Sequence, residues 1–423
     1  MQKFEKHSPV VVTEVTTKHE LRQFMQYPNR LYADNPNYIP SFYGDDLSDW
    51  TPGKNPAFDY CEARCWLARR DGEIVGRIGA ILSHKANDKF GTHRMRFSQV
   101  DFVDDSEVSA ALFGTVERWA REKGCDQVHG PLGFTDMDRE GMLVEGFDRR
   151  SLFFTNYNAP YYLEHLTRLG YRKDVDWIEY RITVPEPGGA EAERLHKLSE
   201  FILKRKHLHV ATVHHKSEYG PFVRQVFELV NAAYAPLYGV VELSDEQIER
   251  YANKFIPLVD PDFVCFVVDE QDQLVAFGVT ALDPSVALKH SDGRLFPFGW
   301  AGVLNDLHHS DTLIMLLTAV RPDLQTEGIN AVMMDHVCQS CNRHGVRFAE
   351  TGPMLELNDH ILAQWKRLEK EQHKRRRCFI KDLDHDVNAA NAAAAQTDEV
   401  DVVADAVHGG LEVVPLAVMH PVP

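Results

Sequence analysis

Apolar and polar positions along the 423-residue chain repeat with two periods, and they do so twice in nearly the same order. Residues 10–15 form a β-branched run, and residues 18–32 carry apolar side chains at helical spacing. Two apolar runs, 65–70 and 74–81, flank Asp71-Gly72, a dipeptide that tolerates positive φ and marks a tight hairpin. A strand is predicted over 96–102, then a helix over 106–123 with Ser106 as N-cap and Gly124 closing it. A short strand at 126–130 leads into a Gly-rich loop, a helix over 158–169 ends at Gly170, and a strand runs 177–184.

The second round begins with a strand at 208–214 and helices at 222–233 and 244–255. Strands at 263–269 and 274–282 flank the turn Gln271-Asp272. A strand at 312–320, a helix at 325–343 stopped by Gly345, a strand at 346–351, a helix at 358–368 and a strand at 378–383 complete it. Both rounds read β-α-α-β-β-β-α-β-α-β, which gives an α/β fold with a mixed sheet and helices on both faces. Pro185-Glu-Pro-Gly-Gly189 interrupts regular structure, so 185–189 is the expected linker between domains at 1–184 and 190–384. Residues 385–423 read as an Ala-rich acidic tail with an apolar end, through which copies of the chain would associate as a homo-oligomer.

Charge narrows the partners. Lys and Arg total 46 against 63 Asp and Glu, a net charge of −17 that repels nucleic-acid backbones. The basic run at 374–377 reads as the solvated lead-in to the last strand, or as a phosphate patch. The seven cysteines show no disulfide framework, the first residues lack the apolar core of a signal peptide, and the longest apolar runs are too short to cross a bilayer. The expected setting is cytoplasmic, with a small-molecule substrate and neither nucleic acid nor membrane as partner. Cys338 and Cys341 form a C-x-x-C inside a helix with no second pair at zinc spacing, and Asp136-Met-Asp138 offers too few oxygens for calcium. No metal is expected.

The element order, with a central hairpin and a helix directly after the fourth strand, resembles the GNAT N-acetyltransferase superfamily. Residues 317–330, Leu-Thr-Ala-Val-Arg-Pro-Asp-Leu-Gln-Thr-Glu-Gly-Ile-Asn, resemble its acyl-CoA motif V-x-P-x-x-[QR]-x-x-G-x-[GA] at Val320, Pro322, Gln325 and Gly328. The phrases at 35–40, 71–78 and 130–134 are similar to bacterial acetyltransferase-like proteins. The resemblance implies two GNAT-like (acyl-CoA N-acyltransferase) domains in tandem, with acetyl-CoA or another acyl-CoA as co-substrate. It places Ala319 and Val320 against the pantetheine arm, and Gln325, Thr326, Gly328, Ile329 and Asn330 at the pyrophosphate, where a helix N-terminus and a glycine suit an anion. Asn330 and Glu327 depart from the motif, the first by crowding the helix start and the second by adding an anion. The same residues also fit a plain Gly-containing turn before a helix. In the first half the equivalent stretch has no glycine and carries Asp104, Asp105 and Glu107, carboxylates that compete for the place of an anionic ligand. That half is expected to bind no CoA.

N-acyl transfer from a thioester needs a deprotonated amine, a donor to the carbonyl oxygen and a proton for the thiolate. Asp306, His308, His309 and Asp311, just before the fourth strand of the second half, are candidates for the base, or simply a polar strand-entry loop. Where the superfamily often carries a tyrosine acid this chain has Trp365, and the same spacing in the first half reaches His165, read as a helix-face histidine. The Gly-rich stretch at 130–147 holds Asp136, Asp138, Glu140 and Glu145, which would bind an amine-bearing substrate or decorate a self-packed loop. The expected function is CoA-dependent N-acyl transfer to a small amine or amino-acid-like substrate. The alternative is a non-catalytic GNAT-fold protein that binds a small molecule or a partner.

Overall fold

Asp71 and Gly72 both take positive φ, +53° and +85°, so the hairpin they close carries the right-handed twist of its strands. The computed structural model containing this hairpin describes residues 8–383; the tail expected at 385–423, with its role in association, lies outside the described residues. The first half comprises β1 (Val11–Glu14), α1 (Lys18–Leu31), α2 (Tyr43–Asp49), β2 (Cys61–Arg70), β3 (Glu73–Ser83), α3 (His84–Phe90) and β4 (Arg94–Phe102). It continues with α4 (Ser106–Glu122), β5 (Gln127–Gly130), β6 (Met142–Glu145), α5 (Tyr162–Arg168) and β7 (Arg172–Thr183). The second half comprises α6 (Ala190–Lys206), β8 (His209–Val210), α7 (Gly220–Tyr234), α8 (Asp245–Phe255), β9 (Val264–Val268), β10 (Leu274–Leu282), α9 (Ser285–His290) and α10 (Gly299–His309). Then follow β11 (Thr312–Val320), α11 (Asn330–His344), β12 (Phe348–Glu350), β13 (Met354–Leu355), α12 (Asp359–Ala363) and β14 (Lys370–Asp382).

The main path of the sheet runs β1-β2-β3-β4-β5-β14-β7-β12-β11-β10-β9-β8. Strand β14 lies antiparallel between β5 and β7, and β7 pairs on its other edge with β12. Each half therefore lends its last strand to the other, and one mixed sheet crosses the whole described chain. Helices cover both faces: α4 packs through Phe113 on Trp66 and Phe97, and in the second half α7 and α8 pack on Phe266 while α11 packs on Cys265 and Val267 of the same strand. Among the described residues no helix is long and apolar enough to cross a membrane.

Several expected boundaries move, for local reasons. The N-cap of α4 is Asp105 and not Ser106: its carboxylate accepts from the backbone N–H of Glu107 (2.8 Å) and Val108 (3.3 Å). Helix α11 starts at Asn330 and not near Gln325, because Gly328 at φ +81° breaks the helical path ahead of it. Helix α6 was not expected, although Leu195, Ser199 and Ile202 line its inner side at helical spacing. The largest shift is in β14, which starts at Lys370, so Lys374–Arg377 is neither a solvated lead-in nor a phosphate patch. Lys374 and Arg376 are fully buried, with Lys374 Nζ 3.2 Å from Glu350 and 3.4 Å from Glu179, and Arg376 paired with Glu179. Burial pushes the Glu179 carboxyl up, but Arg376 and Lys374 outweigh it and hold it below its ordinary range. Arg375 and Arg377, on the opposite face, both bond Asp176. The basic run is half of the ionic seam between β14 and β7.

Candidate active site

Strand β11 pairs with β10 along its length but skips one residue: Val279 faces Leu317 and Thr280 faces Met315, which leaves Leu316 as a bulge. With β12 it pairs in parallel only over Thr312–Ile314. Beyond Ile314 the two strands part, and the fork between them opens beside the bulge. At the end of β11 the chain turns through Gln325, Thr326 and Gly328, all exposed, into α11, whose N-terminus has no side-chain cap. Gln325 Nε2 donates to the carbonyl of Val320 at 3.3 Å. Glu327 turns aside to Lys206 of α6 (2.6 Å), which holds its carboxyl below the usual range. Ala319, Val320 and Ile329 are buried with their side chains in the cores flanking the strand, while Asn330 lines a cavity.

That cavity, of about 300 Å³, runs along the fork and is walled by Met315, Leu317, Met333, Val337, Trp177 and Trp365. A second, of about 250 Å³, lies under α7 and α8 against Val223, Val226, Phe227, Phe255 and Phe266. Asp136, Glu140, Tyr234, Leu316 and Leu317 belong to the walls of both, so the two apolar rooms meet at a pair of acids beside the bulged strand. Tyr234, the last residue of α7, donates its hydroxyl to the Thr318 carbonyl at 2.7 Å and so ties that helix to the strand.

The acids are delivered by the loop after β5. Asp138 closes it, its carboxylate accepting from the backbone of Phe134 (2.8 Å) and Thr135 (3.2 Å). Arg139 anchors it outward on Asp46 at 2.8 Å. Two residues to one side and two to the other, Asp136 and Glu140 project into the rooms. Asp136 Oδ1 is buried without a hydrogen-bond partner. Burial, with the charge of Asp138 nearby, pushes the Asp136 carboxyl up to about 6. Burial and the neighbouring Asp136 push Glu140 well above the ordinary carboxylate range. A carboxylate raised in this way has the basicity to take a proton from an ammonium near neutral pH.

The other expected site residues fall elsewhere. Glu145 is exposed and pairs with Arg375 at 3.3 Å. Asp306, His308 and His309 belong to the end of α10, where Asp306 accepts from the backbone of Ala287 (2.8 Å) and His309 Nδ1 lies 2.9 Å from the Asn305 carbonyl. Asp311 pairs with Arg347. None of these four lines either cavity. Trp365 lines the first one, its indole N–H 3.2 Å from Met354 Sδ. His165 is buried between Ser109 Oγ (2.8 Å) and Asp104 (2.9 Å), bracing the start of α4. Sequence reasoning missed Tyr234; a tyrosine at the end of an apolar helix carries no signal until the strand it touches is known. Near the seam, the Tyr238 hydroxyl sits among His129 (3.0 Å), Asp174 (2.5 Å) and Cys378 (3.5 Å), a cluster its own bonds satisfy.

The forked parallel pair, the bulge and the following helix, repeated in two halves of one sheet, define a tandem GNAT fold. The chain superposes over 89% of its length on 99% of a tandem GNAT protein from the clavulanic acid biosynthesis pathway, with a TM-score of 0.50 and 13% identity. It is 27% identical over 379 residues to protein YghO of Escherichia coli strain K12, covering 88% of this chain and 95% of that one. It is 28% identical over 300 residues to the bacterial ceramide synthase of Caulobacter vibrioides, covering 69% of this chain and 75% of that one. No family model matches the chain.

Proposed function

We propose that this protein is an N-acyltransferase that passes the acyl group of an acyl-CoA to an amine bearing a long apolar chain. The observation that carries the reading is the meeting of two apolar cavities at Asp136 and Glu140, beside the forked strand β11. The first room, along the fork, suits a thioester and its acyl chain. The second is lined by Val226, Phe227 and Phe266 and favours an alkyl chain over a small polar amine or amino acid. Similarity to a bacterial ceramide synthase supports an amide-forming reaction between two chains. The uncapped start of α11, with Gly328 before it, supports a pyrophosphate at that end, and Glu327, paired with Lys206, is drawn off the loop.

In this reading the Asp136–Glu140 pair, which burial keeps from carrying two charges, takes a proton from the substrate ammonium and passes it to solvent. The freed nitrogen attacks the thioester carbonyl carbon, and the oxyanion accepts from a backbone N–H of β11 next to the bulge. Collapse breaks the C–S bond, and the proton that remains surplus on nitrogen goes to the thiolate, which leaves as free CoA. The thiol's ordinary pKa of about 8.5 makes a dedicated acid dispensable at Trp365. The test is an assay of thiol release and amide mass with acyl-CoAs of increasing chain length against amines of increasing chain length. Turnover that rises with both lengths and falls in Glu140→Gln is expected. Thermal stabilisation by acyl-CoA with no amide product from any amine would favour the non-catalytic binding alternative instead.

A further inference from the structure

The connection between β10 and β11 is built differently from the rest of the surface. Residues 295–305, Leu-Phe-Pro-Phe-Gly-Trp-Ala-Gly-Val-Leu-Asn, contain no charge in a chain that is 26% charged. Helix α10 is apolar on two sides. Val303 and Leu307 face inward with Ala287, Leu288 and Ile314, while Trp300 and Leu304, one turn apart, face out at 48% and 45% exposure. Phe296 and Phe298 just ahead of them are 81% and 79% exposed, and Val286 of α9 adds to the same segment. An aromatic group of this size left open by a folded chain marks a contact surface.

We infer that this face docks on the surface of a lipid bilayer. Three observations select that occupant. The indole N–H of Trp300 is already bonded to the Pro297 carbonyl at 3.2 Å, so the ring can enter an apolar phase without stranding a donor. Exposed Arg294, His290, His308 and His309 border the patch and offer side-chain hydrogen bonds at the level of lipid headgroups; of the acids nearby, Asp306 is held by the Ala287 N–H and Asp292 stands at the edge. Beneath the patch, its core includes Leu316 and Phe154, which also wall the cavities, so the outward face and the substrate rooms are two sides of one layer. The matching connection in the first half is the single helix α3, whose one exposed large apolar residue is Phe90. The surface differs from a spanning segment: it lies on the bilayer, contrary to the sequence-based expectation of no membrane partner.

The chain offers a clean probe, because Trp50, Trp66, Trp119, Trp177 and Trp365 are all buried and Trp300 alone of the six tryptophans is exposed. With vesicles of phosphatidylglycerol and phosphatidylethanolamine, the full chain is expected to co-sediment, and brominated acyl chains should quench its fluorescence. Trp300→Phe should keep the binding and lose the quenching. The triple variant Phe296→Ser, Phe298→Ser, Trp300→Ser should lose binding at least tenfold with its melting temperature unchanged. Wild-type protein that stays in the supernatant, or a triple variant that binds as well, overturns the inference. So does a wild-type dimer in light scattering that the triple variant converts to monomer, since the face would then belong to a second copy. Vesicle binding is read without substrate, and its outcome is separate from that of the acyltransfer assay.

Discussion

The fourth strands of the two halves, β4 and β11, start from the same geometry and end with opposite uses. Both pair in parallel with the next strand over three residues and then part, and both are bulged, at Gln99 (φ +46°) in β4 and at Leu316 in β11. In the first half the fork is filled by the chain itself. Leu132 N–H bonds the Phe97 carbonyl at 3.0 Å, and Phe102 is held by Tyr161 and Tyr162. The helix that follows is capped by Asp105, which Arg70 ties to Glu107. In the second half the fork faces a cavity and the helix is uncapped. The two halves thus keep the same bulge and fork, packed by the chain itself in one and open to a cavity in the other; on the proposed function, the open fork is the one that would take the ligand.

The largest effect is expected from the seam that joins the copies. Arg376→Ala leaves the fully buried Glu179 with Lys374 as its remaining cation, at a cost of about 3–5 kcal/mol, and chemical denaturation should show both halves weakened in one transition. Two separate transitions would mean that the exchanged strands do not couple them. Next comes the proposed base pair: Glu140→Gln should lower kcat by roughly 10²–10⁴-fold while acyl-CoA binding, followed by calorimetry, is unchanged. Gly328→Trp should abolish that binding, because position 328 has φ +81° and a Cβ there would stand 3.1 Å from Ile202 Cδ1. Its counterpart in the first half, Asp105→Ala, should cost about 0.5–2 kcal/mol of stability through the lost cap and leave the stoichiometry of acyl-CoA at about one per chain. The smallest effect is a pH dependence. Asp136 has a folded-state pKa raised to about 6, so the folded protein holds more protons than the unfolded one between the ordinary carboxylate range and that value. Stability from this group therefore falls as pH rises through that window. Asp136→Asn removes the charge, and its gain in melting temperature over wild type should be larger at pH 8 than at pH 5.

The repeated element order and the glycine turn at Gly328 were legible because they rest on local signals, hydrophobic period and turn chemistry. Asp71-Gly72 specifies its hairpin by backbone preference alone. The exchange of β7 and β14 was not legible, since strand identity is local but strand order is not. The same gap explains the basic run: Lys374–Arg377 reads as solvated until Glu179 and Asp176, some 200 positions earlier, are placed beside it. At the site, Asp136 and Glu140 stood out with Asp138 and Glu145 as a cluster of acids, but only the structure separates them: Asp136 and Glu140 wall both cavities, Asp138 touches the second while its carboxylate is spent on closing the loop, and Glu145 reaches neither. Asp306 to Asp311 looked catalytic because of their composition, which a helix end satisfies equally well.

The placement of β14 has a consequence for how the protein is made. A ribosome finishes β5 at Gly130 and does not begin β14 until Lys370, 240 positions later (370 − 130). At roughly 5–20 residues per second this interval lasts about 12–48 seconds. During it the edge of β5 has no strand to pair with, and β7 lacks both of its neighbours until the second half has been synthesised. The nascent first half thus waits as an open sheet edge, the feature most prone to pair with a foreign chain. Completion of the first half's sheet is therefore tied to the synthesis of β14 and not to that of its own residues.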